Sequence, residues 1–316
     1  MRLATLRAAG RDGKLVKVSS CGTRYTDASH IAATLQDAVE RWEQVAASLA
    51  ALPEGTLPLD SADILAPLPR AWQWLDGSAF ASHGDLMDSL LGNKVERNGV
   101  PLMYQGMSDM FLAPTEDARF PSEELSIDFE GEFGVIVDEV PMGTSAADAM
   151  RHIKLLVQIN DWSLRKLALP EMKTGFGWVG AKPACSMAPF AVTPDELEQQ
   201  WRNGRVCLDL EVCWNGKRFG NPNGEPMEFG FHELVAHAAR TRRLVAGTII
   251  GSGTVSNANF REIGSTCIAE RRGIELLDEG AARTEFMKFG DTIRMEAHTE
   301  TGAAPFGAIQ QRVVQA

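Results

Sequence analysis

The first seventy residues contain both hydrophobic periodicities of regular secondary structure. Leu3 to Leu6 and Leu15 to Val18 are short apolar runs on either side of a polar turn, which predicts two paired strands. From Ile31 to Leu49 the apolar residues recur at helical spacing, which predicts one helix. The stretch that follows is rich in proline, serine and aspartate and predicts a linker, so we place a domain boundary near residue 70.

Beyond residue 70, strand patterns outnumber helical ones and do not alternate regularly with helices. Arg205 to Trp214 alternates with period two and meets Asn215-Gly216, a dipeptide typical of two-residue hairpins. Thr193 begins a capping box with proline at the first helical position, which predicts a helix as far as Asn203. Thr292 to Ala297 and Phe306 to Val314 predict a closing hairpin. The fold class that these patterns predict is α+β, rich in strands.

The charge balance limits the partners of the chain. Among 316 residues there are 42 Asp and Glu and 31 Lys and Arg, so the formal net charge is -11 and the pI is about 5.1. Because no dense Lys/Arg block interrupts this acidic composition, we expect neither a nucleic acid nor an anionic membrane as a partner. The apolar share of 44% and the charged share of 23% are typical of a globular protein.

Cysteine usage and the N-terminus predict a cytoplasmic protein. The five cysteines form no CxxC pair and are odd in number, which argues against a disulfide framework and against a structural zinc site. The chain begins with charged residues where a signal peptide needs its apolar segment, and no stretch approaches 18 consecutive apolar residues. We therefore expect a reducing compartment and no membrane span.

Two motifs with known chemistry lack the context or the spacing that their chemistry needs, and a third motif is absent. Gly175 to Gly180 matches the dinucleotide-binding string GxGxxG, but polar residues precede it and Lys182-Pro183 follows, so we expect a loop there. His232 and His237 resemble a zinc-protease helix, but their five-residue spacing turns them about 140° apart. No GxSxG nucleophile motif is present, so covalent catalysis has no support.

A strand pattern over Ser126 to Val137 carries three acidic residues on one face, Asp128, Glu130 and Glu132. Carboxylates two residues apart on a strand face lie about 7 Å apart and repel each other unless water screens them or a cation binds between them. A solvated sheet face is the simpler interpretation of this pattern taken alone. A divalent-cation site is the alternative, since carboxylate oxygens suit Mg²⁺, Ca²⁺ and Mn²⁺.

Other candidate residues are weak signals when each is taken alone. Asp161 follows a predicted buried strand, Lys154 to Asn160, and by itself is typical of a helix cap. Asp76 and His83 lie in a stretch of small residues that predicts a loop. A lone histidine in such a stretch is usually a surface or capping residue.

The order of these segments resembles the fumarylacetoacetate hydrolase family. The resemblance rests on Tyr104-Gln105-Gly106, the ExE strand at Glu130 and Glu132, Asn160-Asp161-Trp162-Ser163 with Arg165, Ala181-Lys182, and Gly251-Ser252-Gly253-Thr254. It extends from about residue 65 to the C-terminus. The resemblance implies a catalytic domain folded as a mixed β-roll over residues 71–316, a small N-terminal α+β domain over residues 1–70, and a homodimer.

The resemblance also implies roles for individual residues. It implies a divalent ion, Mg²⁺ or Ca²⁺ with Mn²⁺ as a further candidate, whose carboxylate ligands fall on Asp76, Glu130, Glu132 and Asp161. The catalytic histidine falls on His83, seven residues after the first of these ligands, and its acidic partner falls on Glu270. The cationic catalytic positions fall on Lys182 and Arg165. The substrate-binding positions fall on Tyr104, Gly253 and Thr254.

The roles that the resemblance implies fit the hydrolysis of a carbon-carbon bond in a 1,3-diketo acid such as fumarylacetoacetate or an acylpyruvate. The resemblance also implies a place for this reaction in aromatic amino acid catabolism. Such a reaction releases a carbanion, whose charge a chelated divalent ion spreads. His83 would take the proton of the attacking water while Glu270 holds the imidazole in the required tautomer. Lys182 and Arg165 would stabilise the oxyanion or bind a substrate carboxylate.

Three departures from the long-form hydrolase pattern leave the substrate open. Gly92, Ala168 and Ser78 stand where that pattern has residues that contact the distal part of the substrate. A lyase, isomerase or decarboxylase of an oxo acid on the same fold is one alternative. A non-catalytic metal- or ligand-binding dimer is another. The sequence also leaves open whether the loop from Gly175 to Ala181 closes over the site as a lid.

Overall fold

The computed structural model describes residues 1–91 and 99–316. The strands in these ranges are β1 Arg2–Leu6, β2 Lys14–Val18, β3 Arg24–Asp27, β4 Leu57–Pro58, β5 Trp74–Gly77, β6 Met103–Gly106, β7 Ala118–Phe120, β8 Ile127–Asp128, β9 Gly131–Val137, β10 Ile153–Asn160, β11 Ser163–Leu164, β12 Ser186–Met187, β13 Ala191–Val192, β14 Trp201–Arg202, β15 Arg205–Val206, β16 Asp209–Trp214, β17 Lys217–Gly220, β18 Thr248–Gly251, β19 Thr292–His298 and β20 Ala308–Gln315. The α-helices are α1 Leu35–Glu40, α2 Trp42–Ala51, α3 Ala81–Leu91, α4 Ala146–Ala149, α5 Arg165–Thr174, α6 Phe231–Ala238, α7 Phe260–Ile263 and α8 Ile268–Glu279.

Two sheets contain most of these strands. The larger is an 11-stranded sheet in the order β4-β3-β2-β1-β13-β10-β9-β18-β5-β6, with β12 paired to β10 beside this path. The smaller is a 5-stranded sheet in the order β17-β16-β19-β20-β7. Most neighbours are antiparallel, but β18 runs parallel to β5 and β20 runs parallel to β7, so both sheets are mixed. The strand-rich α+β fold class predicted from the sequence is confirmed.

The centre of the large sheet is buried on both faces. Val135 and Ile136 are consecutive residues of β9, and they enter two different hydrophobic clusters. The first cluster includes Leu210 and Met295 of the smaller sheet, while the second includes Val39 of α1. The large sheet therefore lies between the smaller sheet on one face and the N-terminal helices on the other. Polar side chains on its central strands are consequently enclosed.

The N-terminal segment shares the large sheet with the rest of the chain. β1 pairs antiparallel with β13, where Arg2 lies opposite Val192 and Leu3 lies opposite Ala191. The N-terminal amine of Met1 donates a hydrogen bond to the hydroxyl of Thr193 at 2.5 Å. A continuous sheet thus crosses residue 70, and the division into domains at that residue stays a prediction.

Several local predictions are confirmed. The predicted strand from Arg205 to Trp214 divides into β15 and β16, and only β16 forms the predicted hairpin with β17. The φ angles of Asn215 and Gly216 at the hairpin turn are 51° and 74°. Two consecutive positive φ angles are what a two-residue hairpin turn of the favoured hand requires, which explains the Asn-Gly pair. β19 and β20 form the predicted closing hairpin, and β1, β2 and β10 lie where the alternating or buried patterns place them.

Three predictions of local structure are wrong. The N-terminal helix begins only at Leu35, with Thr34 as its cap, and divides at Arg41 into α1 and α2. The capping-box segment forms a 3₁₀ helix over Pro194–Gln200 instead of an α-helix, and Glu198 inside it has a φ of 47°. The stretch around His83 forms β5 followed by α3 and is not the predicted loop. The prediction failed because alanine and serine are as compatible with the start of a helix as with a turn.

The described residues contain neither a disulfide nor a helix suited to a lipid bilayer. All five cysteines have free thiols, and Cys185, Cys207 and Cys267 are buried. No helix in residues 1–91 or 99–316 has both the length and the apolar composition that crossing a membrane requires.

Candidate active site and metal centre

Three buried carboxylates meet near the middle of the large sheet. Asp76 lies on β5, Glu132 lies on β9, and Asp161 directly follows β10. One carboxylate oxygen from each lies within 4.8 Å of the others. In the sheet, β18 separates β5 from β9, and β10 pairs with β9, so the group spans four neighbouring strands. Within residues 1–91 and 99–316 it is the one group of three or more side chains able to hold a metal ion.

Glycine on the intervening strand leaves room for this group. Gly251 of β18 lies opposite Asp76 on one side and Gly134 of β9 on the other. A Cβ atom at Gly251 would lie 2.3 Å from Asp76 Oδ1 and 2.3 Å from the ring of Trp74, too close for any side chain. Gly253, at a φ of 76°, donates its N–H to Asp76 Oδ1 at 3.1 Å. The glycine-rich segment therefore makes space for Asp76 and also orients it.

Burial and mutual repulsion raise the pKa of two of the three carboxyl groups. Burial, followed by the charge of Asp161, raises the pKa of Asp76 well above its ordinary value. Burial, followed by the charge of Asp76, raises the pKa of Glu132 in the same way. Glu132 is 0% exposed, and neither of its carboxylate oxygens accepts a hydrogen bond. A buried carboxylate without donors is costly, so the arrangement favours a bound cation.

Asp161 accepts hydrogen bonds from three side chains. Its Oδ2 accepts from the hydroxyl of Tyr104 at 2.7 Å and from Lys182 Nζ at 2.5 Å, while its Oδ1 accepts from the thiol of Cys185 at 3.0 Å. The Tyr104 ring packs edge-on against Trp178, with 4.8 Å between ring centroids. Lys182 Nζ lies 5.4 Å and 5.7 Å from the centroids of these two rings. Tyr104 therefore touches the acidic group directly, and its role toward a substrate stays a prediction.

Glu130, the fourth metal ligand implied by the resemblance, faces donors. Its carboxylate accepts hydrogen bonds from Ser163 at 2.6 Å, Thr254 at 2.6 Å and Lys182 at 3.0 Å. Arg165 Nη2 lies 2.8 Å from the same Oε1, an ion pair that is not aligned as a hydrogen bond. Burial opposes ionisation, but Arg165 and Lys182 outweigh it and lower the pKa of Glu130. The structure thus sets Glu130 apart from the three-carboxylate group, and its role as a ligand stays a prediction.

A break in the predicted acidic strand explains this difference. The pattern from Ser126 to Val137 forms two strands, of which β8 pairs with β11 and β9 runs through the large sheet. Glu130 lies in the break between them and forms a backbone bridge with Cys267, just before α8. Asp128 and all of β9 are buried, so the interpretation of this face as solvated is wrong.

The three-carboxylate group fits a divalent cation that prefers oxygen ligands. Three carboxylate oxygens this close together can contact one ion. The two Glu132 oxygens without a hydrogen-bond donor provide an independent reason, since a cation would supply their missing partner. Asp76, Glu132 and Asp161 are therefore the candidates for holding Mg²⁺, Ca²⁺ or Mn²⁺.

We expect metal binding to release protons and to weaken on acidification. Because the pKa values of Asp76 and Glu132 are raised, protons compete with the metal above the pH range, about pH 4, in which ordinary carboxyl groups titrate. The affinity for Mn²⁺ should therefore fall as the pH is lowered through that raised range. Calorimetric titration in two buffers of different ionisation enthalpy measures the released protons. Equal heats in both buffers near neutral pH would contradict this prediction.

His83 and Glu270 form a hydrogen-bonded pair between two helices. His83 Nδ1 lies 2.9 Å from Glu270 Oε2. His83 is in the first turn of α3, directly after the strand that carries Asp76, and Glu270 is in the first turn of α8. The Glu270 side chain is 0% exposed and that of His83 is 18% exposed, so the imidazole lies at the boundary of the interior. The pair implied by the resemblance is thus brought together, and its catalytic role stays a prediction.

The loop that matches GxGxxG follows a helix, where a nucleotide-binding motif would need a strand. The carboxylate of Glu171 in α5 accepts hydrogen bonds from the backbone N–H groups of Val179, Gly180 and Ala181. Trp178 Nε1 donates to the carbonyl of Ala168 at 2.9 Å. The loop is therefore fastened to α5 and presents Trp178 to the candidate site.

The structure describes two of the three residues that depart from the family's substrate-binding pattern, Ala168 and Ser78. Gly92 lies outside the described residues. Ala168 contributes its backbone carbonyl to the anchoring of Trp178, and the backbone N–H of Ser78 donates to Leu102 at 2.9 Å.

Sequence reasoning missed residues that hold the site together. Cys185 contacts Asp161, yet a single cysteine three residues after a lysine carries no recognisable signal. Gly251 stood within a recognised motif, but its steric role depends on a neighbouring strand. Asp128 did carry a signal, since it precedes Glu130 by two residues on the same predicted strand face.

Two protein-family models together match almost the whole chain. Residues 73–314 match the family model described as fumarylacetoacetate (FAA) hydrolase C-terminal, and residues 1–70 match the model described as fumarylacetoacetase N-terminal domain 2. The chain belongs to the fumarylacetoacetate hydrolase family. The resemblance drawn from the ordered motifs is thereby confirmed.

Individual members of the fumarylacetoacetate hydrolase family that are similar to this chain differ in activity. A 2,4-didehydro-3-deoxy-L-rhamnonate hydrolase from a Sphingomonas species is 26% identical over 157 residues, which cover 49% of this chain and 52% of that protein. A mitochondrial oxaloacetate tautomerase from Xenopus laevis is 25% identical over 171 residues, which cover 53% of this chain and 51% of that protein. The chain thus spans about half the length of these two relatives.

A solved structure extends the similarity to the whole fold. Maleylpyruvate hydrolase from a Sphingobium species, in complex with manganese(II) ion and pyruvate, has a TM-score of 0.69 and is 18% identical, with 100% of both chains covered. This similarity shows that the fold is shared. The similar proteins therefore include hydrolases and a tautomerase, and the described residues of this chain contain an acidic triad that could hold a metal.

Proposed function

We propose that the protein is a divalent-metal-dependent hydrolase that cleaves a carbon-carbon bond in a 1,3-diketo acid such as an acylpyruvate or fumarylacetoacetate. The observation that carries the proposal is the His83–Glu270 pair at 2.9 Å, in a chain that also holds three buried carboxylates suited to one ion. A site that only bound a metal would need no such pair. An oriented histidine is the usual general base for activating water.

The proposed reaction divides the work between the ion and the side chains. The ion, when bound, supplies Lewis-acid stabilisation of the enolate charge of a chelating oxo acid. His83 Nε2 takes the proton of a water molecule as the water oxygen attacks the ketone carbonyl, while Glu270 accepts the hydrogen bond of Nδ1–H. The carbon-carbon bond then breaks, its electron pair stays on the leaving carbon, and that carbon takes the proton back. The products are a carboxylic acid and a smaller oxo acid.

The two cations of the site take different parts in this proposal. Lys182 contacts Asp161 and Glu130, and it lies beside the Tyr104 and Trp178 rings, where it can stabilise an oxyanion. Burial opposes its charge, but Asp161 and Glu130 raise the pKa of Lys182, which keeps the ammonium protonated. Arg165 forms ion pairs with Glu130 and Asp128, so we propose that it stabilises the structure of the site and does not bind the substrate.

The similar proteins support an oxo acid as the substrate and manganese as one usable metal. The Sphingobium maleylpyruvate hydrolase was solved in complex with manganese(II) ion and pyruvate, a small 2-oxo acid. The reaction of an acylpyruvate would release pyruvate. We therefore propose Mg²⁺, Ca²⁺ or Mn²⁺ as the metal and a small diketo or oxo acid as the partner.

A second candidate is a tautomerase or isomerase of an oxo acid. The oxaloacetate tautomerase among the relatives favours it. Tautomerisation moves a proton between carbon and oxygen and needs no attacking water, so the same metal site could serve it. A His83→Ala variant with full activity would favour this class of reaction, or a lyase or decarboxylase, because a metal-stabilised enolate needs no water-activating pair.

A substrate panel with added Mn²⁺ or Mg²⁺ tests the proposal. We expect the ultraviolet absorbance of an acylpyruvate or of fumarylacetoacetate to decay while one carboxylic acid forms per molecule consumed. Decay of the enol absorbance of oxaloacetate without a new carboxylic acid would support the tautomerase instead. Metal binding without turnover of any compound would sink both proposals and leave a non-catalytic binding protein.

We also propose a homodimer in the cytoplasm, with residues 1–70 as a small N-terminal α+β domain, as the family resemblance implies. Light scattering coupled to size-exclusion chromatography tests the assembly. The expected mass is twice that of the 34.4 kDa chain, and a mass of one chain would contradict the dimer.

A further inference from the structure

Asp128 is a fully buried carboxylate to which the proposed mechanism gives no role. It is 0% exposed and lies at the end of β8. Its Oδ1 accepts a hydrogen bond from the backbone N–H of Ile268 at 2.7 Å. Its Oδ2 accepts from the backbone N–H of Ala269 at 2.9 Å and from Arg165 Nε at 2.7 Å. Every neighbour that it contacts in this way is a donor.

The two backbone donors are the first two residues of α8, and Glu270 is the third. The first N–H groups of a helix have no partner within the helix, and the helix dipole favours a negative charge beside them. The N–H of Glu270 is held separately, by Cys267 Sγ at 3.3 Å. Asp128 thus anchors the start of α8 to β8. It thereby also fixes the backbone from which the Glu270 side chain reaches His83.

The third donor connects Asp128 to the metal side of the site. Arg165 donates Nε to Asp128 and places Nη2 2.8 Å from Glu130. Glu130 in turn contacts Lys182, which donates to Asp161 of the acidic group. A single chain of contacts therefore joins the helix that carries Glu270 to one of the candidate metal ligands. Asp128 is the member of this chain that holds the first two N–H groups of α8.

We propose that Asp128 is a positioning residue that fixes Glu270 against His83 and holds the pair in register with the metal centre. Its part in catalysis rests on the proposed function, whereas its part in the geometry of the pair does not. Loss of such an outer contact typically lowers activity by about 10- to 100-fold.

Asp128→Asn is the direct variant, since it keeps the shape of the side chain. An amide has one acceptor oxygen and one NH₂ donor, so at least one of the three donors loses its partner. Asp128→Glu keeps the charge but lengthens the side chain by a methylene group, and it serves if the amide variant fails to fold. The matched control is Asp278→Asn on the same helix, where Asp278 accepts two hydrogen bonds from Arg261 at the surface.

The first readout is the nitrogen spectrum of the histidine side chains. The chain has 6 histidines, and a His83→Gln variant assigns the His83 signals. We expect the neutral His83 ring of the wild type to carry its proton on Nδ1, hydrogen-bonded to Glu270. Asp128→Asn and Asp128→Glu should lose this signature, and Asp278→Asn should keep it. An unchanged His83 spectrum in a folded Asp128 variant would overturn the proposal, whether or not a substrate has been found.

The second readout is a double-mutant cycle on kcat with an oxo-acid substrate. We expect Asp128→Asn to lower kcat by about 10- to 100-fold in the wild type and to have little further effect in His83→Gln. Equal factors in both backgrounds would mean that Asp128 acts independently of the pair and would contradict the proposal. An inactive wild type would instead count against the proposed function, and the nitrogen spectrum would still decide the role of Asp128.

Discussion

Replacing His83 with glutamine is expected to lower kcat by about 10² to 10⁴ while leaving the affinity for Mn²⁺ unchanged. Glutamine can still donate a hydrogen bond toward Glu270 but cannot take a proton from water. The metal affinity should survive because His83 is not a member of the three-carboxylate group. Steady-state kinetics on the acylpyruvate at saturating metal and calorimetric titration with Mn²⁺ measure the two quantities separately.

His152→Gln is the matched control for this variant. His152 Nδ1 lies 2.6 Å from Asp138 Oδ1, and its side chain is 11% exposed, so it forms the same kind of pair away from the site. We expect this variant to keep the wild-type kcat. If His83→Gln kept it too, or if His152→Gln lost as much, the His83–Glu270 pair would not be the catalytic base.

Replacing Glu132 with glutamine is expected to lose the metal and to stabilise the metal-free protein. The loss of a direct ligand should exceed the roughly 10- to 100-fold cost of losing an outer-shell contact. The stabilisation is expected at pH values at which Glu132 ionises, because the ionised side chain repels Asp76 and Asp161 in the interior and has no hydrogen-bond donor of its own. Mn²⁺ titration and thermal unfolding in the presence of a chelator measure the two effects.

Glu130→Gln should have the opposite effect on stability. Glu130 is the shared counter-charge of Arg165 and Lys182, and removing one partner of a buried ion pair typically costs about 3 to 5 kcal/mol. The same variant shows whether Glu130 is also a metal ligand, because its Mn²⁺ affinity can be measured independently of its stability.

A Glu132→Gln variant that bound Mn²⁺ as tightly as the wild type would contradict the assignment of Glu132. A Glu132→Gln variant that unfolded at a lower temperature than the wild type without metal would contradict it too.

Hydrophobic alternation predicted the strands well where one sheet face is accessible. In β16 the exposed Asp209 is followed by the buried Leu210, and the Asn-Gly turn ends the strand where predicted. In β9 both faces are buried, so alternation no longer distinguishes interior from surface. For that reason the acidic face of the predicted strand suggested solvent, although Glu132 lies inside the molecule.

The candidate site depends on contacts that local patterns do not contain. The resemblance based on the ordered motifs predicted the pairing of His83 with Glu270, although these residues lie 187 positions apart. The different surroundings of Glu130 and Glu132 could not be predicted, because they arise from a strand break and from Arg165 and Lys182, which lie on other segments. Cys185 reaches Asp161 only because β12 pairs with β10.

Acylpyruvate consumption by the wild-type protein after removal of divalent ions is the most direct test of a metal-dependent oxo-acid hydrolase. We expect turnover to stop after chelation and dialysis and to return as Mn²⁺ or Mg²⁺ is added, reaching a plateau at about one ion per chain, as one three-carboxylate site implies. Full turnover by the metal-free protein would contradict the role assigned to Asp76, Glu132 and Asp161.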